Sequence, residues 1–124
     1  MLENSKAFSG FAAPDIEALE PFYRDKLGVR TSVEDGLLTL HLAGGERPTM
    51  VYTKPDFEPA TYTILNFPVE DVDAAVDELT SRGVEFEKYE GFDQDEKGIA
   101  RDPRGPAIAW FKDPAGNILS VLKM

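Results

Sequence analysis

The chain has no cysteine and only one histidine among its 124 residues. Without cysteine it has no disulfide framework, no thiolate nucleophile and no sulfur-ligated zinc or iron–sulfur centre. Its apolar runs are only a few residues long, far short of the roughly 20 that a membrane span requires, and the start MLENSKAF lacks the apolar segment of a signal peptide. We therefore expect a soluble, cytoplasmic protein that has no membrane partner.

Basic residues are scarce as well, with 13 Lys and Arg against 23 Asp and Glu, for a net charge of −10. Such a surface repels the phosphates of nucleic acids, so no nucleic-acid partner is expected. The acidity is typical of a well-solvated surface, and it could also favour cationic ligands.

Several motifs of catalysis and cofactor binding are missing. There is no Gly-x-Ser-x-Gly elbow, and Gly44-Gly45 is followed by Glu46, without the lysine and helix of a phosphate-binding loop. These absences argue against a serine or cysteine nucleophile and favour a binding protein.

What the sequence does contain is an internal repeat. Asp15-Ile-Glu-Ala18 and Asp71-Val-Asp-Ala74 stand 56 residues apart, each with an aspartate suited to cap a helix, and a glycine follows each helix at Gly28 and Gly83. The repeat predicts one domain, residues 1–124, made of a first module at 1–55, a linker at 56–60 and a second module at 61–124.

Each module is predicted to contain a strand, a helix and three further strands. The predicted strands are residues 7–13, 29–33, 37–42 and 49–53, and then 62–67, 84–88, 107–112 and 117–123. Pro21 should kink the first helix or delay its start to about Glu20. The acidic stretch 89–98 is predicted to be a mobile surface loop or a lid.

Three stretches carry a resemblance to a known family: residues 15–28 (DIEALEPFYRDKLG), 69–79 (VEDVDAAVDEL) and 110–120 (WFKDPAGNILS). They resemble the vicinal oxygen chelate superfamily, which includes glyoxalases, extradiol dioxygenases, fosfomycin-modifying enzymes and bleomycin resistance proteins. The resemblance implies an α+β fold of two tandem βαβββ modules, whose curved mixed sheets form a half-open cleft with helices on the outer faces. Together with exposed sheet edges, it also implies a homodimer.

The resemblance implies four positions for a divalent metal, on the first and last strands of each module. They fall on Phe8, on Ile64, on Ser120 and within residues 49–53, a run without histidine, aspartate or glutamate. Tyr52 and Ser120 are the oxygen donors that such a site could use, too few for a metal centre. We therefore expect no metal and no cofactor.

Strand alternation indicates which side chains share a face, and the resemblance implies which of the faces lines the cleft. The predicted ligand-binding residues are Phe8, Thr39, His41, Tyr52, Ile64, Asn66, Trp110 and Ser120.

Several of these side chains have two interpretations. His41 could act as a general base or make only a local hydrogen bond, and Trp110 could stack on a ligand or fill a dimer contact. Asn66 could orient a ligand or bond to neighbouring backbone. Arg101 and Arg104 could hold an anion or pair with nearby acids.

The leading hypothesis is a metal-free member of this superfamily that binds an apolar, aromatic or cationic small molecule in the cleft between modules or at a dimer interface, and that is not an enzyme. One alternative is a lyase or dioxygenase of the same superfamily with an unusual or metal-independent site, in which His41 or Tyr52 transfers protons. Another is a structural or interaction protein whose cleft is filled by its own side chains.

Overall fold

The structure, a computed structural model, describes all 124 residues and contains two compact units, residues 1–57 and 58–124. The boundary between the units falls within residues 56–60. No helix is both long enough and apolar enough to cross a lipid bilayer.

The first unit is a four-stranded sheet with one helix. Its elements are β1 (Ser9–Ala13), α1 (Ile16–Pro21), β2 (Thr31–Glu34), β3 (Leu37–Leu42) and β4 (Arg47–Thr53). The strand order is β1-β4-β3-β2, with β1 parallel to β4 and the other neighbours antiparallel. Asp35 and Gly36 both have positive φ angles, 51° and 76°, as the predicted two-residue hairpin between β2 and β3 requires.

The helix α1 starts where its predicted cap places it. The carboxylate of Asp15 accepts hydrogen bonds from the backbone N–H groups of Glu17 and Ala18, so Pro21 does not delay the helix. After Pro21 the chain continues as a π-helical turn, Phe22–Lys26, in which the N–H of Leu27 donates to the carbonyl of Phe22 at 3.1 Å. Proline removes an α-helical hydrogen bond, and the wider turn accommodates that loss.

The second unit is a three-stranded sheet with one helix. Its elements are β5 (Thr63–Pro68), α2 (Val72–Ser81), β6 (Ile108–Lys112) and β7 (Ile118–Leu122). The order is β5-β7-β6, with β5 parallel and β6 antiparallel to β7. An α+β fold with two open mixed sheets is therefore confirmed.

The predicted strand at 84–88 is wrong in extent. Only Phe86 forms a bridge there, to Phe111, and the N–H of Glu87 donates to the carbonyl of Trp110 at 2.8 Å. The chain then leaves β6, because the N–H of Tyr89 donates to the side chain of Gln94 instead of to a strand.

Each sheet packs one apolar face against its helix. In the first sheet Leu38, Leu40 and Val51 are fully buried, and α1 packs on β3 and β4. In the second sheet α2 packs on β6 and β7, where Phe111 and Leu119 are fully buried.

The opposite faces hold most of the predicted site residues. The His41 face is the face of the first sheet that carries Thr39, His41, Met50 and Tyr52. The Trp110 face is the face of the second sheet that carries Asn66, Trp110 and Ser120. The ladder registers place each of these sets on one side, as alternation predicts.

The β6–β7 hairpin is held by a buried carboxylate. Asp113 Oδ1 accepts hydrogen bonds from the N–H groups of Ala115 and Asn117 at 2.9 and 3.0 Å, and its Oδ2 accepts one from Asn117 Nδ2 at 3.0 Å. Asp113 and Asn117 are both buried. This confirms the turn predicted at residues 113–117.

Replacing this carboxylate should therefore be costly. Asp113→Ala leaves three donors of the hairpin without an acceptor, and we expect it to lower the free energy of unfolding by about 3 to 5 kcal/mol. Urea unfolding followed by far-UV circular dichroism measures this loss. The matched control is Asp102→Ala, since Asp102 also precedes a proline and also accepts a backbone N–H, but lies exposed. Equal shifts of the urea midpoint in the two variants would contradict the role given to Asp113.

Candidate functional site

The residues at the four expected metal positions do not suit a metal ion. Phe8 and Ile64 are hydrocarbon, and the hydroxyl of Ser120 donates its hydrogen to Asn66. The register of β1 on β4 now shows which residues of β4 share the face of Gly10 and Ala12: Met50 and Tyr52. No group of three His, Asp or Glu side chains anywhere in the chain is placed to hold a metal ion.

On the His41 face, the predicted site residues are bonded to close neighbours. His41 Nε2 lies 2.8 Å from the hydroxyl of Ser32, and Thr39 donates to the sulfur of Met50 at 3.2 Å. Tyr52 is the strand partner of Leu37 and is 46% exposed. His41 therefore makes the local hydrogen bond that was one of its two interpretations.

The Trp110 face is built around an indole that crosses the sheet. Trp110 Nε1 donates to the hydroxyl of Thr63 at 3.1 Å. Since Trp110 lies on β6 and Thr63 on β5, with β7 between them, the indole must lie over β7. Its direct partner on β7 is Ser120, which is completely buried. The indole is thus an aromatic ring held in a fixed position above Ser120.

Ser120 also connects Trp110 to Asn66. The two strand residues Asn66 and Ser120 are ladder partners, and Ser120 Oγ donates to Asn66 Oδ1 at 2.5 Å. Asn66 therefore bonds to this side chain and not to a backbone group. Three predicted site residues, Asn66, Trp110 and Ser120, come together in one row across the sheet.

Ile64 does not join this row in the way alternation predicts. The register between β5 and β7 shifts between Thr63 and Leu65, so Ile64 has no partner in the ladder. The bulge brings Thr63 into contact with Trp110, where strict alternation would place it on the other side. No pattern in the sequence indicates such a bulge, so the contact of Thr63 was missed.

Two further aromatic rings surround the indole, and neither was predicted. The ring of Tyr89 lies 5.7 Å from that of Trp110 at 76°, and the ring of Phe92 lies 5.0 Å away at 58°. Such edge-to-face and tilted pairs stabilise by about 0.5 to 1.5 kcal/mol each. Phe92 is 55% exposed, so it borders the solvent.

The loop that carries both rings is held by the side chain of Gln94. Its Oε1 accepts from the N–H of Tyr89 at 2.8 Å, and its Nε2 donates to the carbonyls of Glu87 at 2.9 Å and Gly98 at 2.7 Å. Three bonds from one side chain close the loop on itself. Residues 89–98 are therefore an internally bonded loop in this structure.

A second anchor of the loop is Asp95. Its Oδ1 accepts from the N–H groups of Lys97 at 2.9 Å and Ile99 at 3.0 Å. Burial acts to raise the pKa of Asp95, but these bonds and the contact with Arg101 outweigh it and hold the pKa below its ordinary value.

A surface groove of about 530 Å³ lies beside the aromatic cluster, within the size range of small-molecule pockets. It is lined by residues 91–93 and 100–104, and Phe92 belongs both to the groove and to the cluster on Trp110. Ala100 pairs with Ile108, which places the groove at the outer edge of β6.

The two arginines of the groove pair with acids. Arg101 Nη2 lies 2.8 Å from Asp73 and 3.3 Å from Asp95, and Arg104 Nε lies 3.3 Å from Asp102. Of their two interpretations, ion pairing with nearby acids is the one that the structure has. Their charges are therefore compensated within the chain.

Comparison with known proteins identifies the family. The sequence model of the Glyoxalase/Bleomycin resistance protein/Dioxygenase superfamily matches residues 9–121. No curated protein matches the sequence.

Solved structures of similar fold come from several bacteria. A glyoxalase family protein from Enterococcus faecalis has a TM-score of 0.71 at 23% identity, over 99% of this chain and 100% of that one. TnmS3, an antibiotic binding protein from Streptomyces sp. CB03234, has a TM-score of 0.67 at 20% identity, over 94% of each chain. The fosfomycin resistance protein FosX from Mesorhizobium loti has a TM-score of 0.65 at 13% identity, over 100% of this chain and 94% of that one. At these identities the likeness shows the fold alone.

The hydroxyl of Tyr89 is shielded from water and has no hydrogen-bond partner. This shielding, and next the charge of Glu87, raise the pKa of Tyr89 above its ordinary value of 10.0. The folded protein therefore holds this proton more tightly than the unfolded chain, so stability is at its full value below pH 10.0 and falls as the pH rises above it.

Removing this hydroxyl should stabilise the protein. We expect Tyr89→Phe to raise the free energy of unfolding by about 1 kcal/mol near neutral pH, because an unsatisfied buried group is lost. The gain should widen above pH 10.0, where only the parent chain ionises a shielded phenol. Urea midpoints between neutral and alkaline pH test this, with Tyr62→Phe at an exposed tyrosine as the control. A Tyr89→Phe variant less stable than the parent would contradict it.

Proposed function

The chain belongs to the Glyoxalase/Bleomycin resistance protein/Dioxygenase superfamily, and on this premise we propose that it is a metal-free member that binds a flat apolar or aromatic small molecule at the Trp110 face. The observation that carries the proposal is the fixed indole of Trp110. It is bonded to Thr63, lies over β7, and has two aromatic rings beside it.

A fixed indole is well suited to recognise a flat molecule. Its N–H is already bonded to Thr63, so no polar group of the ring has to be desolvated when a ligand covers it. Because the ring is immobilised before binding, little side-chain entropy is lost on stacking.

Phe92 is a side chain that a ligand in the groove can contact. It packs on Trp110, is more than half exposed, and borders the groove of about 530 Å³. A flat molecule can therefore contact the aromatic cluster from the groove, or replace Phe92 on the indole, while Gln94 keeps the rest of the loop in place.

The residues at the expected metal positions support binding without metal-assisted chemistry. Phe8 and Ile64 are apolar, and Ser120 is engaged by Asn66. These side chains offer no set of donors for a divalent ion.

The comparison with TnmS3 supports the same reading, because that protein is named as an antibiotic binding protein and has a similar fold. The contacts of the two candidate catalytic residues give the enzymatic alternative no support. His41 is bonded to Ser32 and Tyr52 lies opposite Leu37, so neither has the carboxylate partner that would prepare it for proton transfer.

The proposal predicts that Trp110 dominates binding. Titration of ¹⁵N-labelled protein with 2-ethylnaphthalene, 2-acetylnaphthalene and 2-naphthylmethylammonium should shift the single indole N–H signal, because Trp110 is the only tryptophan. We expect Trp110→Ala to weaken the Kd of the probes that bind by about tenfold or more, as loss of stacking and apolar contact requires.

The matched control is Tyr62→Ala, which removes an aromatic side chain that is 69% exposed and one position before Thr63. It should leave the Kd unchanged within about twofold. If no probe binds the parent chain, or if both variants lose the same affinity, the proposal is wrong.

The donor set at the four positions leads to a further prediction about metals. Dialysis against EDTA should leave the Kd of a bound naphthalene unchanged, and elemental analysis of purified protein should find no stoichiometric divalent ion. A stoichiometric ion whose removal abolishes binding would contradict this prediction and favour the lyase or dioxygenase alternative.

A homodimer also stays a prediction, which gel filtration tests.

A further inference from the structure

We infer that Ser120 is a positioning residue that fixes the amide orientation of Asn66, and that the ligand of the Trp110 face therefore carries a hydrogen-bond acceptor oxygen beside its flat ring. This inference rests on the proposed function, because it concerns a molecule stacked on Trp110.

The orientation of the amide follows from the atom of Asn66 that lies against Ser120 Oγ, which is Oδ1. A serine hydroxyl has one hydrogen to donate, and Ser120 gives it to Asn66 Oδ1. The carbonyl end of the amide is thereby held against β7. The Nδ2 group, with its two N–H donors, is left to point away from Ser120, and Asn66 is an exposed residue.

Ser120 is able to hold this orientation because it cannot move. It is completely buried in the middle strand, is paired in register with Asn66 on one side and Trp110 on the other, and lies beneath the indole. Its position is the one at which the family resemblance implies a metal-binding carboxylate. In this chain the same position orients an amide.

The remaining polar group of the row is already occupied. Trp110 Nε1 donates to Thr63, so the indole offers a ligand only its ring surface. The row therefore presents an aromatic surface over β7 and, on the neighbouring strand β5, a pair of amide donors. A ligand that brings only donors would leave the Nδ2 group of Asn66 without a partner.

The position of the indole sets how far the ligand must reach. The backbones of Asn66 and Trp110 lie on either side of Ser120, but the indole extends over β7, so the amide on β5 is about one strand spacing, roughly 5 Å, from it. A flat ring stacked on the indole with one carbonyl oxygen outside the ring spans this distance. The geometry points to planar aromatic ketones, quinones or amides as the class of ligand.

Two probes of nearly equal shape test the acceptor. The parent chain should bind 2-acetylnaphthalene about three- to tenfold more tightly than 2-ethylnaphthalene, which has a methylene in place of the carbonyl. Asn66→Ala and Ser120→Ala should bring this ratio to within about twofold of unity, with little change in the Kd of 2-ethylnaphthalene. Thermal unfolding of each variant verifies that it is folded.

Asn66→Asp distinguishes an amide that contacts the ligand from one that only supports the fold, because only the first would change which probe binds more tightly. A carboxylate can still accept from Ser120, but it then presents an oxygen in place of the Nδ2 group. The preference should therefore reverse. The Kd of 2-acetylnaphthalene should rise, and the Kd of the donor probe 2-naphthylmethylammonium should fall. Asn4→Asp adds the same charge at an exposed position near the start of the chain and should change neither Kd.

The outcomes separate this inference from the proposed function. If the parent chain binds both naphthalenes equally, or if Ser120→Ala keeps the acetyl preference, the inference is overturned while binding at Trp110 stands. If no naphthalene binds, both are overturned. Since Asn66 is exposed, its variants test the acceptor preference even if Ser120→Ala does not fold, and an unchanged acetyl preference in Asn66→Ala overturns the inference.

Discussion

The carboxylate of Asp113 determines the register on which the Trp110 face depends. By accepting three hydrogen bonds inside the β6–β7 turn, it aligns the two strands so that Trp110 stands opposite Ser120. A slip of one residue would turn Trp110 to the helix side and bring a buried apolar side chain to the other face. The cost of leaving the turn's donors unsatisfied in a buried place is what prevents that slip.

Once the register is set, the remaining contacts of the face follow from the length of the indole. The side chain crosses β7, and its N–H reaches the hydroxyl of Thr63 on the far strand. Ser120 is then covered and must find a partner for its hydroxyl, which it does in Asn66. The loop held by Gln94 places Tyr89 and Phe92 around the ring. The position at which the resemblance implies a metal ligand here holds the amide of Asn66.

The parts of the fold that were predictable are those governed by neighbours in sequence. Asp15 caps its helix through N–H groups two and three residues ahead, and Asp35-Gly36 adopts the backbone angles of a tight hairpin. The alternation of Leu38 and Leu40 with Thr39 separates core from opposite face over a few residues. The strand at 84–88 could not be judged in this way. Its residues are suited to a strand, but whether they pair depends on where the following loop is bonded.

The sequence by itself determined the superfamily, the helices capped by Asp15 and Asp71, and the alternation of side chains along each strand, because caps, turns and alternation act over a few residues. Only the tertiary structure decided that Thr63 takes the indole N–H, that Ser120 holds the amide of Asn66, and that Tyr89 and Phe92 surround the ring. Those contacts join residues that are far apart in the chain. They depend on a bulge and on a loop closed by one glutamine, features whose energies arise from packing and hydrogen bonds that no local pattern records.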